Sequence, residues 1–120
     1  MTLRSVIVDD SEPFIEAARV LLEREGLSVA GIATTGADAL AEVEKVHPDV
    51  VLVDIFLGDE SGIALARRLV ENGAPTVILI SSHAEADVAD LVATSPAAGF
   101  LTKAELSADA IRRIVAGRSA

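Results

Sequence analysis

Val50-Val51-Leu52-Val53-Asp54 is the stretch on which the reading of this chain turns. Four consecutive apolar residues, three of them β-branched, stop at a carboxylate. So short and so apolar a run reads as a strand buried on both faces, as in a parallel sheet covered by helices. A strand in the middle of such a sheet delivers its last residue to the carboxyl edge, where open α/β sheets bind their ligands. For a lone Asp, a polar strand end facing water would be the safer reading. Other strands that end in the same manner shift that balance.

Upstream, Val6-Ile7-Val8 is a second β-branched run, ending in Asp9-Asp10. Pro13 suits the first turn of a helix, Phe14, Ala17, Ala18, Leu21 and Leu22 recur at helical spacing, and Gly26 stops it. A mixed strand over 29–34 belongs at a sheet edge. Thr35 caps a helix that runs through Val46 and is ended by His47-Pro48. Downstream of Asp54 come a loop over 55–60, a helix from about Ser61 to Asn72 closed by Gly73, and a strand over 76–80 ending in Ser81-Ser82. A less amphipathic helix covers about 85–94, and Ser95-Pro96 breaks it. The strand over 99–102 ends at Lys103, and Ser107 caps a last helix with Ile111, Ile114 and Val115 facing inward. Strand and helix alternate five times with short connections. That predicts a doubly wound α/β fold, a (βα)5 three-layer sandwich around a parallel sheet.

A length of 120 residues with 51% hydrophobic content suits one domain, 1–120, with one core and no output domain after the fifth helix. No run approaches the roughly 18 apolar residues of a membrane span. Residues 1–5 lack a signal-peptide layout. The absence of cysteine excludes disulfides and thiol chemistry, and the cytoplasm is the expected compartment. A net charge of -9 and 2% aromatics argue against direct nucleic-acid binding, which needs a basic footprint or stacking rings.

Read together, the strand ends carry chemistry. Asp9 and Asp10, Asp54, Ser81 and Lys103 all fall on one edge of a parallel sheet, where their side chains can converge. Three carboxylates in one cleft repel and raise one another's pKa. A hard divalent cation relieves this, and Mg²⁺ prefers one or two carboxylates, waters and a phosphate oxygen. Three carboxylates, Mg²⁺ and Lys103 sum to zero charge, so an incoming phosphoryl group meets a neutralised site. Asp54 is the candidate nucleophile, since carboxylates form acyl phosphates. Ser81 is placed to donate a hydrogen bond to the product, with Ser82 as the substitute if the strand ends one residue later. Singly, each has a plainer reading: Asp9-Asp10 as caps of the first helix, Lys103 as a surface lysine, Ser81 as a strand end.

In Val6-Ile7-Val8-Asp9-Asp10, Val50-Val51-Leu52-Val53-Asp54-Ile55, Val77-Ile78-Leu79-Ile80-Ser81 and Gly99-Phe100-Leu101-Thr102-Lys103, and in the intervals between them, the chain resembles the response-regulator receiver domain of two-component signalling. The resemblance implies a flavodoxin-like sheet in the order 2-1-3-4-5. It implies Asp54 as phosphoacceptor and Mg²⁺ (or Mn²⁺) held by Asp9, Asp10, Asp54 and the backbone carbonyl of Phe56. It implies Lys103 on the phosphoryl group, Ser81 and Phe100 as the switch pair, and Phe56 and His83 flanking the path of the water that ends the phosphorylated state. Two positions depart from the family pattern. Gly58 stands where a proline is usual. Ala104 follows Lys103 where a cis proline is common, and a cis bond without proline costs about 3–4 kcal/mol, so a trans bond is expected.

The function expected is a phospho-accepting signalling switch that catalyses no reaction beyond its own phosphorylation and dephosphorylation. Its expected partners are a histidine kinase or phosphotransfer protein and a protein target or output domain. Asp87 and Asp90 of helix 4 and Arg112 and Arg113 of helix 5 could pair across a homodimer through helix 4, strand 5 and helix 5, although solvated faces are the commoner explanation of such charges. The alternatives are a small Mg²⁺-dependent phosphohydrolase working through an aspartyl phosphate, and a receiver-like scaffold that is never phosphorylated. The first lacks an Asp-x-Asp at a strand end to supply a general acid.

Overall fold

The sheet is built from β1 (Arg4–Val8), β2 (Ser28–Ala33), β3 (Val50–Asp54), β4 (Val77–Ser81) and β5 (Gly99–Thr102). All are parallel, in the order β2-β1-β3-β4-β5. These strands and the helices α1 (Glu12–Arg24), α2 (Gly36–Val46), α3 (Gly62–Glu71), α4 (Glu85–Ala93) and α5 (Ala108–Ser119) come from a computed structural model that describes residues 2–119. Among them no helix is long and apolar enough to cross a membrane.

Alternation along the strands sorts the core into two layers, because successive side chains of a strand point to opposite faces. Ile7, Val50, Leu52, Ile78 and Ile80 pack against Ile15, Ala18 and Leu22 of α1 and Ala108 and Ile111 of α5. Val6, Val8, Val51, Val53, Val77 and Leu79 face Ala39 of α2, Leu65, Ala66 and Leu69 of α3, and Val88 of α4. Val50, Val51, Leu52 and Val53 are all 0% exposed. Burying side chains of this size contributes about 1.5–3 kcal/mol each, which is why β3 sits at the centre.

Register carries the strand ends into line. Val8 lies beside Val53, Asp54 beside Ile80, and Ser81 beside Thr102. The pairing continues one residue past β1 and β3, with Asp9 N donating to Ala33 O at 3.0 Å and Ile55 N to Ile80 O at 3.0 Å. Thr35, Ser61 and Ser107 each accept from the backbone N–H three residues on, as their types dictate.

Several boundaries differ from the sequence reading. β4 runs one residue further, so Ser81 is its last member, fully buried, while Ser82 is exposed. Ile15, Ala18 and Leu22 form the buried stripe of α1; Ala17 is exposed and Phe14 half-buried. The loop after β3 holds a small antiparallel hairpin, Phe56–Leu57 against Glu60–Ser61. Strands of two residues leave no periodicity in a sequence. Arg112 donates to Asp109 on its own helix at 3.2 Å and to the carbonyl of Glu25, just past α1, at 3.0 Å. It is therefore engaged toward α1 and not toward Asp87 or Asp90.

Candidate functional site

Three strand ends bring Asp9, Asp54 and Lys103 together. Asp9 is 0% exposed. Its Oδ1 accepts from Ser11 N at 2.9 Å. Ser11, in turn, caps α1 by accepting from Phe14 N at 3.4 Å, so neither Asp9 nor Asp10 is the capping residue. Asp9 Oδ2 has no directed hydrogen bond, and what faces it is the ammonium of Lys103 at 2.7 Å. Asp54, 6% exposed, accepts from Phe56 N through Oδ1 at 3.1 Å and from Lys103 Nζ through Oδ2 at 3.3 Å. Asp10 is exposed, yet a carboxylate oxygen from each of Asp9, Asp10 and Asp54 lies within 4.8 Å of the others.

The electrostatics follow from this crowding. Burial pushes the Asp54 carboxyl above the usual Asp range; the Phe56 N–H opposes it, the charge of Asp9 adds to it, and Lys103 opposes it. Burial also acts downward on Lys103, but contact with Asp9 and the charges of Asp54 and Asp9 outweigh it and hold the ammonium above its usual range. One cation thus serves two buried carboxylates. A buried carboxylate oxygen held only by the Lys103 ammonium, beside two further carboxylates, is a donor set that fits a hard divalent ion, which binds oxygen ligands.

Local backbone chemistry fixes these groups. Gly62 is decisive: a Cβ there would lie 1.9 Å from the carbonyl oxygen of Asp54. Only glycine lets the start of α3 close onto the end of β3, with Gly62 N donating to Ile55 O at 2.8 Å. Gly58 takes φ +59, as the first residue of a two-residue hairpin turn prefers. A proline, locked near -65°, could not adopt this conformation. From the same hairpin, Glu60 accepts from Gly36 N at 3.0 Å and tethers the site loop to the start of α2.

Lys103 opens a 3-10 turn, Lys103–Glu105, rather than simply ending β5. Thr102 and Glu105 form a reciprocal capping box there, and no cis peptide bond occurs among the described residues, so Lys103-Ala104 is trans as expected. Nζ of Lys103 also sits 4.3 Å from the centroid of the Phe14 ring. The helical spacing of Phe14 concealed this contact, since i, i+4 placement with Ala18 reads as core.

Ser81 and His83 form a second cluster. The Ser81 hydroxyl accepts from His83 N at 3.0 Å and lies 3.3 Å from His83 Nδ1. The His83 ring stands 5.0 Å from that of Phe56, tilted by 57°. Phe56 is 45% exposed. Phe100 is half-buried against the core layer of α2, α3 and α4.

Residues 6–116 match the sequence profile of the response regulator receiver domain. Among curated proteins, a protein-glutamate methylesterase/protein-glutamine glutaminase of Myxococcus xanthus is 38% identical over 85 residues, covering 69% of this chain and 24% of that protein. The uncharacterized transcriptional regulatory protein YvfU of Bacillus subtilis is 32% identical over 121 residues, covering 97% of this chain and 60% of its own. The chain therefore spans only part of the length of these relatives. Among solved structures, the signal receiver domain of NarL from Mycobacterium tuberculosis superposes with a TM-score of 0.84 at 30% identity, covering 97% of this chain and 98% of that one.

Proposed function

The chain belongs to the response regulator receiver domain family, and we propose that within it Asp54 is the residue that accepts the phosphoryl group. The observation that carries this reading is Asp54 itself: a carboxylate at the buried end of the central strand, 3.3 Å from the ammonium of Lys103 and clustered with Asp9 and Asp10. In the proposed step an Asp54 oxygen attacks phosphorus in line. The bond from phosphorus to the donor's leaving atom breaks, that atom keeps the electron pair, and an acyl phosphate forms. Lys103 stabilises charge on the phosphoryl oxygens. Mg²⁺, held by Asp9, Asp10, Asp54 and the Phe56 carbonyl, would neutralise the carboxylates and the arriving phosphoryl group.

A histidine kinase or phosphotransfer protein is the proposed donor. The face of α4, β5 and α5 is the proposed surface read by a target, an output domain or a second copy. α4 suits a moving element: it buries only Val88, lacks a side-chain cap at Ala84, and leaves Leu91 40% exposed. Ser81 would leave His83 for the phosphoryl oxygens, and Phe100 would repack behind it. A phosphohydrolase reading gains nothing from the site, because the position two residues beyond Asp54 carries the Phe56 ring and no proton donor. On this reading the domain acts in the cytoplasm and catalyses only its own phosphorylation and dephosphorylation.

Intact-mass measurement after incubation with acetyl phosphate tests the reading. Gain of one phosphoryl group with Mg²⁺, and none when the metal is chelated, is expected; metal-independent gain or none at all would overturn it.

A further inference from the structure

The Lys103 ammonium has three faces to satisfy, and three groups meet it: Asp9 Oδ2 at 2.7 Å, Asp54 Oδ2 at 3.3 Å, and the Phe14 ring centroid at 4.3 Å. The first two pull it toward the carboxylates, while the third comes from α1 and bears no charge. Phe14 is half-buried, and the Lys103 side chain is only 19% exposed, so the contact is largely removed from water. A cation over an aromatic face gains most in that setting.

We propose that Phe14 is a positioning residue for phosphoryl transfer, its ring holding the Lys103 ammonium at the mouth of the carboxylate cleft. The inference rests on the reading of Asp54 as phosphoacceptor. Lysine is a compact charge on a flexible four-carbon stem, and its carboxylate partners are the groups that must be given up when a phosphoryl group arrives. Contacts to Asp9 and Asp54 alone would tie the ammonium to the state before reaction. The ring is the one partner of the three whose attraction survives that exchange, because phosphoryl chemistry leaves it untouched. It keeps the charge within reach of the phosphoryl oxygens instead of releasing it to solvent, and pre-placed charge of this kind lowers the barrier.

The test replaces Phe14 with mono-, di- and trifluorinated phenylalanines, which drain the ring face of negative potential while nearly preserving its shape. Two quantities are read across the series: the initial rate of phosphorylation by acetyl phosphate with Mg²⁺, and urea stability without metal, the latter in the parent protein and in Lys103→Met. The expected result is a graded fall in rate, about three- to tenfold from Phe to the trifluorinated ring. A graded loss of stability that vanishes in Lys103→Met should accompany it. Absence of that coupling would remove the cation–ring contact. Coupling with an unchanged rate would make the ring merely structural and overturn the positioning role. If the parent protein takes up no phosphoryl group, the Asp54 reading fails and the positioning role with it, while the coupling still reports the contact.

Discussion

Each edge of the sheet carries its own set of acidic and basic groups, and the two sets are built differently. At the amino edge, Arg4 N donates to Asp49 Oδ2 at 2.8 Å, and the Arg4 guanidinium donates to the carbonyls of Val46 and His47 at 2.6 and 3.2 Å. These bonds lie at the surface and satisfy carbonyls that the end of α2 leaves open, so the set staples α2 to β1. At the carboxyl edge, Asp9 and Asp54 are buried, outnumber their one cation, and leave Asp9 Oδ2 without a directed hydrogen bond. One arrangement is complete; the other is in deficit of positive charge. On the proposed reading, a divalent ion and a phosphoryl group would make up this buried deficit.

The contrast can be broken most sharply at its two cations. Lys103→Met is expected to slow phosphorylation by acetyl phosphate about 10²–10³-fold, the scale for losing one preorganised charge donor. Arg4→Met should leave that rate within about twofold and lower urea stability by about 1 kcal/mol, the worth of its hydrogen bonds. Comparable rate losses in both would dissolve the distinction.

Next comes the exposed member of the acidic edge. Asp10→Ala is expected to raise the Mg²⁺ concentration needed for half-maximal phosphorylation at least about tenfold, with metal-free stability unchanged within about 0.5 kcal/mol or higher. Ser11 already caps α1, so no helix end depends on Asp10. A large metal-free loss of stability would return Asp10 to a structural role.

Stability against pH sharpens the comparison further. Asp54 titrates above its usual value, so its ionised form opposes folding: the penalty is absent below about pH 3.8 and grows as pH rises through the folded-state pKa. Asp54→Asn should therefore be more stable than the parent at pH 7 without metal, and the gap should close on acidification. Asp49→Ala, which removes the acceptor for Arg4 N, should move stability the other way at pH 7. Urea melts of both variants decide this, and shifts of equal sign would contradict it. The smallest effect belongs to Phe56, whose half-exposed ring lies beside His83 and has no group to orient a water. Phe56→Asn should shorten the life of the phosphorylated state by about two- to threefold. An unchanged decay of the phosphorylated mass would remove Phe56 from the account.

What the sequence disclosed, and what it withheld, follows from range. β3 and the other strand ends were legible because a run of β-branched residues stopped by a polar one is a local signal, and parallel topology then places all such ends on one edge. That logic brings Asp9, Asp10, Asp54 and Lys103 to one edge, where they do meet. The hairpin after β3 was not, since its two-residue strands fall below any period. Phe14 reads as core in the sequence because its contact with Lys103 depends on how α1 and the turn after β5 meet in space. Gly62 left a faint trace, a glycine directly after the capping Ser61, but its closeness to the Asp54 carbonyl is tertiary. The tie between Ser81 and His83 was likewise invisible, as their spacing alone does not turn an imidazole back onto the strand.

The most direct measurement asks which atom carries the phosphoryl group. Borohydride reduces an acyl phosphate to an alcohol, so an aspartyl phosphate becomes homoserine and stays marked through proteolysis. After incubation with acetyl phosphate and Mg²⁺, peptide mass spectrometry should find homoserine at position 54 and nowhere else, and none in Asp54→Asn. Homoserine at position 9 or 10, or a phosphate on Ser81 that survives reduction, would contradict the assignment of Asp54 as the acceptor.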